Sequence, residues 1–185
     1  METFLGFMIG IGLSAACGFR IFVPLLGVSI ASMSGYLTLT PSFAWLGTWP
    51  AFSAFATATV LEIGAYYVPW LDNLLDTLAT PAAVVAGTIV TASLVGNMNP
   101  FLKWSLAIIA GGGTAGVIQT GTALLRGASS ATTGGSGNFL VATLEAIGSI
   151  LTTFLAIVIP LFCLLLVLFL LFLVIRKLVR RKQVT

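Results

Sequence analysis

Histidine is missing from this chain, and charged residues of either sign are scarce. Without histidine the chain has no histidine general base, no histidine-containing triad and no histidine-ligated metal site. Asp, Glu, Lys and Arg together make up 7% of the residues, whereas a soluble domain carries about 25%. We therefore expect a protein that is not an enzyme, with no catalytic residue, no metal and no cofactor.

Cysteine is also rare. The two cysteines, Cys17 and Cys163, lie in apolar stretches, and neither belongs to a CxxC pair. This spacing indicates neither a disulfide framework nor a metal site. We interpret both as small packing residues.

Apolar residues dominate instead. Hydrophobic residues make up 58% of the 185 residues, and the mean hydropathy is +1.12. Since a membrane-spanning helix needs about 20 apolar residues, the chain has room for about four to six crossings and no separate soluble domain. We predict an all-α fold, a single polytopic transmembrane bundle over residues 1–185 with about six spans, five being the alternative.

The predicted spans are separated by polar or turn-rich stretches. Residues 4–33 form the first apolar segment, which is long enough to be tilted or to be broken near Gly18 to Pro24. Residues 139–175 contain Pro160, which favours two spans hinged there over one kinked helix. The other predicted spans cover residues 51–67, 82–98 and 105–125.

Three connections have a distinct composition. The aromatic stretch 34–50 is typical of a loop at the membrane interface, and we place it outside. Residues 69–81 contain Asp72, Asn73 and Asp76 and are interpreted as a polar connection. The two carboxylates are too few for a calcium loop. Residues 127–137 are almost wholly Gly, Ala, Ser and Thr, which predicts a mobile linker with Asn138 as the N-cap of the next helix.

Basic residues concentrate near the C-terminus. Arg176, Lys177, Arg180, Arg181 and Lys182 directly follow an apolar segment. An excess of Lys and Arg beside a span places that end in the cytoplasm, so residues 179–185 are predicted to form a basic cytoplasmic tail. We expect membrane lipids as partners and no nucleic acid.

A few polar residues lie inside the predicted spans. Arg20, Glu62 and Glu145 would each be costly to leave unpaired in a bilayer, so they indicate a functional centre. We add Tyr66 and Gln119 as further residues of an ion or substrate path. A structural interpretation stays open, in which the glutamates bond hydroxyl groups on neighbouring helices and Arg20 locks the bundle by pairing with Glu62 or Glu145.

An internal repeat is also indicated. Residues 15–18 resemble residues 113–116, and the surroundings of Glu62 resemble those of Glu145. If residues 4–98 and 105–178 each contain three spans, the two halves form a 3+3 inverted repeat with Gly-rich broken helices, as in many transporters. The glutamates would then face each other near the midplane.

Small residues and prolines suggest how the helices pack. Gly-rich faces allow close helix approach, and we expect them to support a homo-oligomer. The predicted packing or hinge residues are Gly18, Pro24, Gly112, Gly116 and Pro160.

The order of motifs resembles that of a known family. The stretch GLSAACGFRIFVPLL from Gly12 to Leu26 is followed by Leu61-Glu62, a VPxxD motif ending at Asp72, then Asp76 and Thr80-Pro81. Together with Arg126, Asn138, Glu145 and Pro160, these residues resemble the bacterial "domain of unknown function 4126" family over nearly the whole chain. The resemblance implies a multi-pass protein of the inner membrane and no particular activity. The family tends to carry further acidic residues where this chain has Tyr66 and Ala146.

Two functions are consistent with these features. The first is a channel or transporter for a small ion or polar solute, with Arg20, Glu62 and Glu145 at its polar centre. The alternative is a non-transporting membrane scaffold or assembly factor, in which the same residues are structural.

Overall fold

The structure is a computed structural model that describes residues 2–96 and 98–182, with only the backbone described at residues 2, 69–74, 76, 77, 174, 175 and 177–182. The described residues contain no strand, and the predicted all-α class is confirmed. Residues 183–185 of the predicted tail and Asn97 lie outside the described residues. The α-helices are α1 (Glu2–Cys17), α2 (Phe22–Met33), α3 (Trp49–Ala65), α4 (Pro69–Leu94), α5 (Pro100–Leu106), α6 (Gly113–Thr133), α7 (Asn138–Val158) and α8 (Pro160–Lys182), with a 3-10 helix at Pro41–Gly47 and a π-helix at Ala107–Gly112.

Helix α1 runs antiparallel to two neighbours. Near its start, Thr3 Oγ1 donates to the carbonyl of Gly96, 3.5 Å away, beyond the end of α4. Near its end, the Ser14 hydroxyl donates to the carbonyl of Gly87, 2.8 Å away and further back in α4. On α7, the Ser149 hydroxyl donates to the carbonyl of Ala16 at 3.0 Å. We call the level of Thr3 and Gly96 the first end of the bundle.

Helix α2 then returns the chain to the first end. A Cβ at Gly27 of α2 would contact Thr153, one turn beyond Ser149 in α7, so α2 runs parallel to α7 and opposite to α1. Past α2, the backbone N–H of Thr40 donates to the carbonyl of Ser93 at 2.8 Å, close to the end of α4. Helices α1 and α2 therefore form a hairpin whose tip is residues 18–21, deep in the bundle.

Proline and glycine explain why the chain turns at residues 18–21. Pro24 has no N–H, and its ring would clash with the carbonyl four residues back, so it disfavours an uninterrupted continuation of α1. In the first turn of α2 the missing N–H costs nothing, because the first N–H groups of a helix have no partner within it. Gly18 is needed for space, since a Cβ there would lie 2.6 Å from Cβ of Ile118.

The hairpin changes the predicted topology. The expected break near Gly18 to Pro24 is confirmed, because α1 ends at Cys17 and α2 begins at Phe22. The segment 4–33 turns back at this break rather than continuing as one span, because both of its ends lie at the first end of the bundle. By length and composition two of the described helices could cross a membrane, Pro100–Thr133 and Asn138–Val158, with shorter apolar helices around them. Six spans are therefore not confirmed.

The hairpin also affects the predicted internal repeat. The matched Gly-rich segments are in contact, because a Cβ at Gly18 would lie 2.7 Å from the carbonyl oxygen of Ala115. The first of them ends in a hairpin tip, whereas the second lies inside the continuous helix Pro100–Thr133. The halves thus differ in topology, and the argument from three spans in each half does not hold for the first.

Residues 69–81 are helical rather than a polar connection. Helix α4 begins with Pro69 at its first position, where proline is favoured, and it continues through Pro81 to Leu94. Proline is tolerated within helices of membrane bundles when neighbours satisfy the freed backbone groups. The side chains of Asp72 and Asp76 lie outside the described residues.

Residues 127–137 also differ from the expected mobile linker. Helix α6 continues to Thr133, and only residues 134–137 form a turn, in which Gly134 and Gly135 have φ angles of +62° and +90°. The hydroxyl of Thr132 donates to the carbonyl of Ala128 at 2.9 Å, so the polar side chains bond within their own helix. Composition alone cannot distinguish such a helix from a linker.

Asn138 does not cap α7. It is the first residue of that helix, and Gly137 occupies the N-cap position. The Asn138 side chain donates to the hydroxyl of Ser130 at 2.9 Å, which ties α7 to the last turns of α6.

The predicted hinge at Pro160 is present. Helix α7 ends at Val158, and α8 begins at Pro160, so residues 139–175 form two helices rather than one kinked helix. Pro24 is fully buried in α2. The two free cysteines are buried, and a Cβ at Gly12 would lie 2.9 Å from Sγ of Cys163, as expected for packing residues.

Glycine brings the central helices together inside one chain. A Cβ at Gly112 would lie 2.6 Å from the Thr88 hydroxyl, and one at Gly116 would lie 2.9 Å from Val84. Both predicted packing glycines therefore contact α4 rather than a second copy. Outward-facing positions with open space remain at Gly113 and Gly121 of α6.

Helix α7 has small or polar residues on its buried face and large apolar residues on its outward face. The buried face of α7 consists of small or polar residues: Ala142, Glu145, Ala146, Ser149, Thr153 and Ala156. Its outward face carries Leu144 and Phe154, which are 69% and 61% exposed. Such a helix buries its polar groups and presents large apolar side chains to its surroundings.

A glycine substitution tests the packing of α4 against the centre. In Gly87→Ala the new Cβ would lie 2.7 Å from Cβ of Ala115 and 3.0 Å from the carbonyl of Gly111, so we expect a loss of about 1–3 kcal/mol from overpacking. Unfolding in detergent, followed by circular dichroism, measures this loss. Gly121→Ala is the matched control, since its Cβ meets open space, and equal stability of the two variants would contradict the described packing.

Candidate functional site

A carboxylate from α3 holds the start of α2 at the hairpin tip. Glu62 Oε1 accepts from the backbone N–H of Ile21 at 2.7 Å, and Oε2 accepts from that of Phe22 at 3.0 Å. These N–H groups have no partner within α2, and the positive end of the helix dipole also favours an anionic group there. Glu62 therefore fixes the position of the tip relative to α3.

A second carboxylate, from α7, joins two arginines. Glu145 Oε1 accepts from Nε of Arg126 at 3.1 Å, and Oε2 accepts from Nη2 of the same guanidinium. Nη2 of Arg20, at the hairpin tip, lies 3.3 Å from Glu145 Oε2 and donates to the carbonyl of Ala142 at 2.9 Å. Glu145 thus connects α7, the end of α6 and the hairpin tip.

The ring of Tyr66 lies against both arginines. Cζ of Arg20 is 3.8 Å from the ring centroid, and Cζ of Arg126 is 4.0 Å from it. The aromatic face attracts both cations and shields them from the surroundings. We call Arg20, Glu62, Tyr66, Arg126 and Glu145 the charge cluster.

Helix α6 extends the polar surface from the charge cluster along the bundle axis. Its buried residues include Thr114, Gln119, Thr122 and Arg126, which share one face. Gln119 is 2% exposed and follows Ile118, the residue that packs on Gly18. Gln119 is therefore buried close to the hairpin tip.

Some buried donors of this region have no acceptor among the described residues. They are Nε and Nη1 of Arg20 and Nε2 of Gln119. A buried donor without a partner costs about 1–3 kcal/mol, and a charged one costs more. The cluster therefore satisfies its carboxylates better than its donors.

The structure brings together most of the predicted polar residues. Arg20 pairs with Glu145, one of its two expected partners, while Glu62 bonds the backbone beside Arg20. Tyr66 completes the same cluster, and Gln119 lies on the polar face of α6. The glutamates meet the same hairpin tip rather than each other.

Arg126 is a site residue that sequence reasoning missed. The predicted span covers residues 105–125, so Arg126 stands just outside it, directly before the Gly, Ala, Ser and Thr residues of the predicted linker. A signal was present in its spacing, since Arg126 follows Gln119 by seven residues and so lies on the same helical face.

The charge cluster is closed in this conformation. Arg20, Arg126 and Glu145 are 1%, 2% and 4% exposed. Among the described residues, no group of three or more His, Cys, Asp or Glu side chains is placed to hold a metal ion. The arrangement is suited to holding helices together or to binding a small polar species.

Removing the shared carboxylate tests the energetics of the cluster. In Glu145→Gln two buried guanidiniums lose their counter-charge, so we expect a loss of about 3–5 kcal/mol. Glu62→Gln keeps one acceptor oxygen for the α2 backbone and should cost less, about 1–2 kcal/mol. Detergent unfolding curves of both variants measure the difference. Equal stability of Glu145→Gln and wild type would show that this carboxylate does not hold the helices.

Comparison with known proteins identifies the family. The family model described as "Domain of unknown function (DUF4126)" matches residues 7–180. Neither a curated protein nor a solved structure matches the chain. Because the family match covers nearly the whole chain, the protein belongs to the domain of unknown function 4126 family.

Proposed function

We propose that this protein is a multi-pass inner-membrane protein that provides a path for a small ion or polar solute and catalyses no reaction. The observation that carries the proposal is the buried charge cluster at the tip of the α1–α2 hairpin. In a bilayer, non-helical backbone and ionisable groups occur where they are buried in protein or line a polar path.

The distribution of side chains supports a membrane location. Large apolar residues face outward on α7, while Glu145 and its hydroxyl-bearing neighbours face inward. In lipid, outward apolar side chains need no further burial, and interhelical polar contacts and close packing hold the helices together. Trp45 and Trp49 are exposed at the first end, where indole rings suit an interface.

The hairpin gives a specific topology in a membrane. With the hairpin entering from the first end, α3, α4, α5–α6, α7 and α8 are the five elements left to cross. The basic residues near the end of α8 favour a cytoplasmic C-terminus. The first end, including the N-terminus, then lies outside.

Cysteine labelling tests this topology. In a background with Cys17 and Cys163 replaced by alanine, we expect Thr3→Cys and Tyr36→Cys to react with an impermeant maleimide from the same side. Ser136→Cys, in the α6–α7 turn, should react from the opposite side. Six full spans would instead place residue 3 on the same side of the membrane as residue 136. Labelling of Thr3→Cys and Ser136→Cys from the same side would therefore exclude the hairpin topology.

Flux through proteoliposomes tests the path itself. We expect the purified protein to conduct at least one of K⁺, Na⁺, H⁺, chloride, nitrate or glycerol. Glu62→Gln should change the flux rate by roughly tenfold. Weakening a charge-assisted bond by about 1.4 kcal/mol changes the population of the state in which that bond is broken tenfold. Thr57→Val is the control on the same helix, since its exposed hydroxyl donates only to the carbonyl of Ser53.

Two results would contradict the path. Absence of flux for every solute, in both directions, would remove it. Unchanged flux in both Glu62→Gln and Glu145→Gln would place the path away from the charge cluster.

A scaffold or assembly factor is the second candidate. It is favoured by the closed state of the cluster, in which both carboxylates already have partners within the chain. A homo-oligomer remains part of either proposal. Its interface would use outward glycines such as Gly113 and Gly121, since Gly112 and Gly116 already contact α4.

A further inference from the structure

The carboxylate oxygens of the charge cluster are all occupied. Both oxygens of Glu62 accept backbone N–H groups at the start of α2. Both oxygens of Glu145 accept from Arg126, and Oε2 also lies 3.3 Å from Arg20. A cation entering the cluster would have to displace these donors and approach two guanidiniums.

The buried N–H groups without a partner favour an anion over a cation. Nε and Nη1 of Arg20 and Nε2 of Gln119 have no acceptor in the part of the chain that the structure describes. All three are donors, and both side chains are at most 2% exposed. An acceptor reaching them would satisfy buried groups without breaking a bond that the cluster already makes.

The surroundings of the hairpin tip are compatible with an anion. The charge cluster contains two arginines and two glutamates and is neutral overall, and Arg20 and Arg126 share the carboxylate of Glu145. The charge of Glu62 is directed at the positive end of α2. Arginine is also the side chain best suited to a buried site for a small anion, because it stays protonated and presents several donors.

We propose that the charge cluster binds a small monovalent anion, with Arg20 as its main ligand and Gln119 as a second donor. This inference rests on the proposed path and names the class of solute that uses it. The shared chemistry is an anionic hydrogen-bond acceptor, and both a halide and a planar oxyanion supply it. Chloride and nitrate are therefore the probes.

The test uses the full chain in proteoliposomes with separate arms for chloride, nitrate, K⁺, Na⁺ and glycerol. We expect chloride or nitrate flux at least tenfold above that of either cation. A nitrate preference over chloride would assign the oxyanion, and the reverse would assign the halide. Arg20→Gln should abolish anion selectivity, although this variant also loses a buried pair.

Gln119→Leu keeps the inference testable if the Arg20 variant does not fold. Because the Gln119 Nε2 group has no acceptor among the described residues, we expect several-fold lower anion flux with wild-type unfolding behaviour. Thr120→Val is the control on the same helix, since its exposed hydroxyl donates to the carbonyl of Gly116 within that helix.

The outcomes separate the two proposals. Flux of cations or glycerol without anion flux would overturn the anion assignment and leave the path intact. No flux of any solute would overturn both. Wild-type anion flux and selectivity in folded Arg20→Gln and Gln119→Leu would exclude these side chains as the ligands.

Discussion

The shared carboxylate of Glu145 is the interaction on which the centre of this fold depends. It accepts from Arg126 of α6 and lies beside Arg20 at the hairpin tip, so three distant parts of the chain meet at one group. Inside an apolar bundle a buried ion is costly unless it has a counter-ion or hydrogen-bond partners. The depth at which the hairpin stops is therefore set by where Arg20 can reach this carboxylate.

Close glycine packing makes that arrangement compatible with a small chain. A Cβ at Gly10 of α1 would lie 3.1 Å from Cα of Thr91 in α4, and one at Gly12 would lie 2.7 Å from Cβ of Ala156 in α7, so α1 approaches both helices closely. Short side chains also let hydroxyl groups reach backbone carbonyls across helices, as Ser14 and Ser149 do. The polar contacts and the close packing therefore support each other.

The cost of buried charge predicts much of the site from the sequence alone. Arg20 was expected to pair with a span glutamate, and it pairs with Glu145; Tyr66 was expected in the same centre and contacts the Arg20 guanidinium. The argument needs only that ions in hydrocarbon gather together, which holds whatever the topology. Arg126 was missed because its neighbours have the composition of a linker, although their hydroxyl groups bond within a helix.

The sequence does not predict the direction in which each helix runs through the bundle. Pro24 indicated a break, but periodicity does not say whether the next helix continues onward or turns back. The reversal follows from long-range contacts, such as Gly27 with Thr153 and Thr40 with Ser93. Pro69, Pro100 and Pro160 each begin a helix, whereas Pro81, the expected end of a connection, lies inside α4.

If the protein works as proposed, the closed charge cluster must open, and the packing of α3 determines how it can do so. Helix α1 contacts α4, α7 and α8 through backbone-close glycine positions, and moving it would break many contacts together. Helix α3 packs mainly on α2 and the 3-10 helix, and it carries Glu62, with Tyr66 directly after its last residue. A displacement of α3 would release the two N–H groups of α2 and uncover both arginines while leaving the Arg126–Glu145 pair in place. Since that pair holds the rest of the cluster, α3 is the element that can expose Arg20 without unfolding the centre.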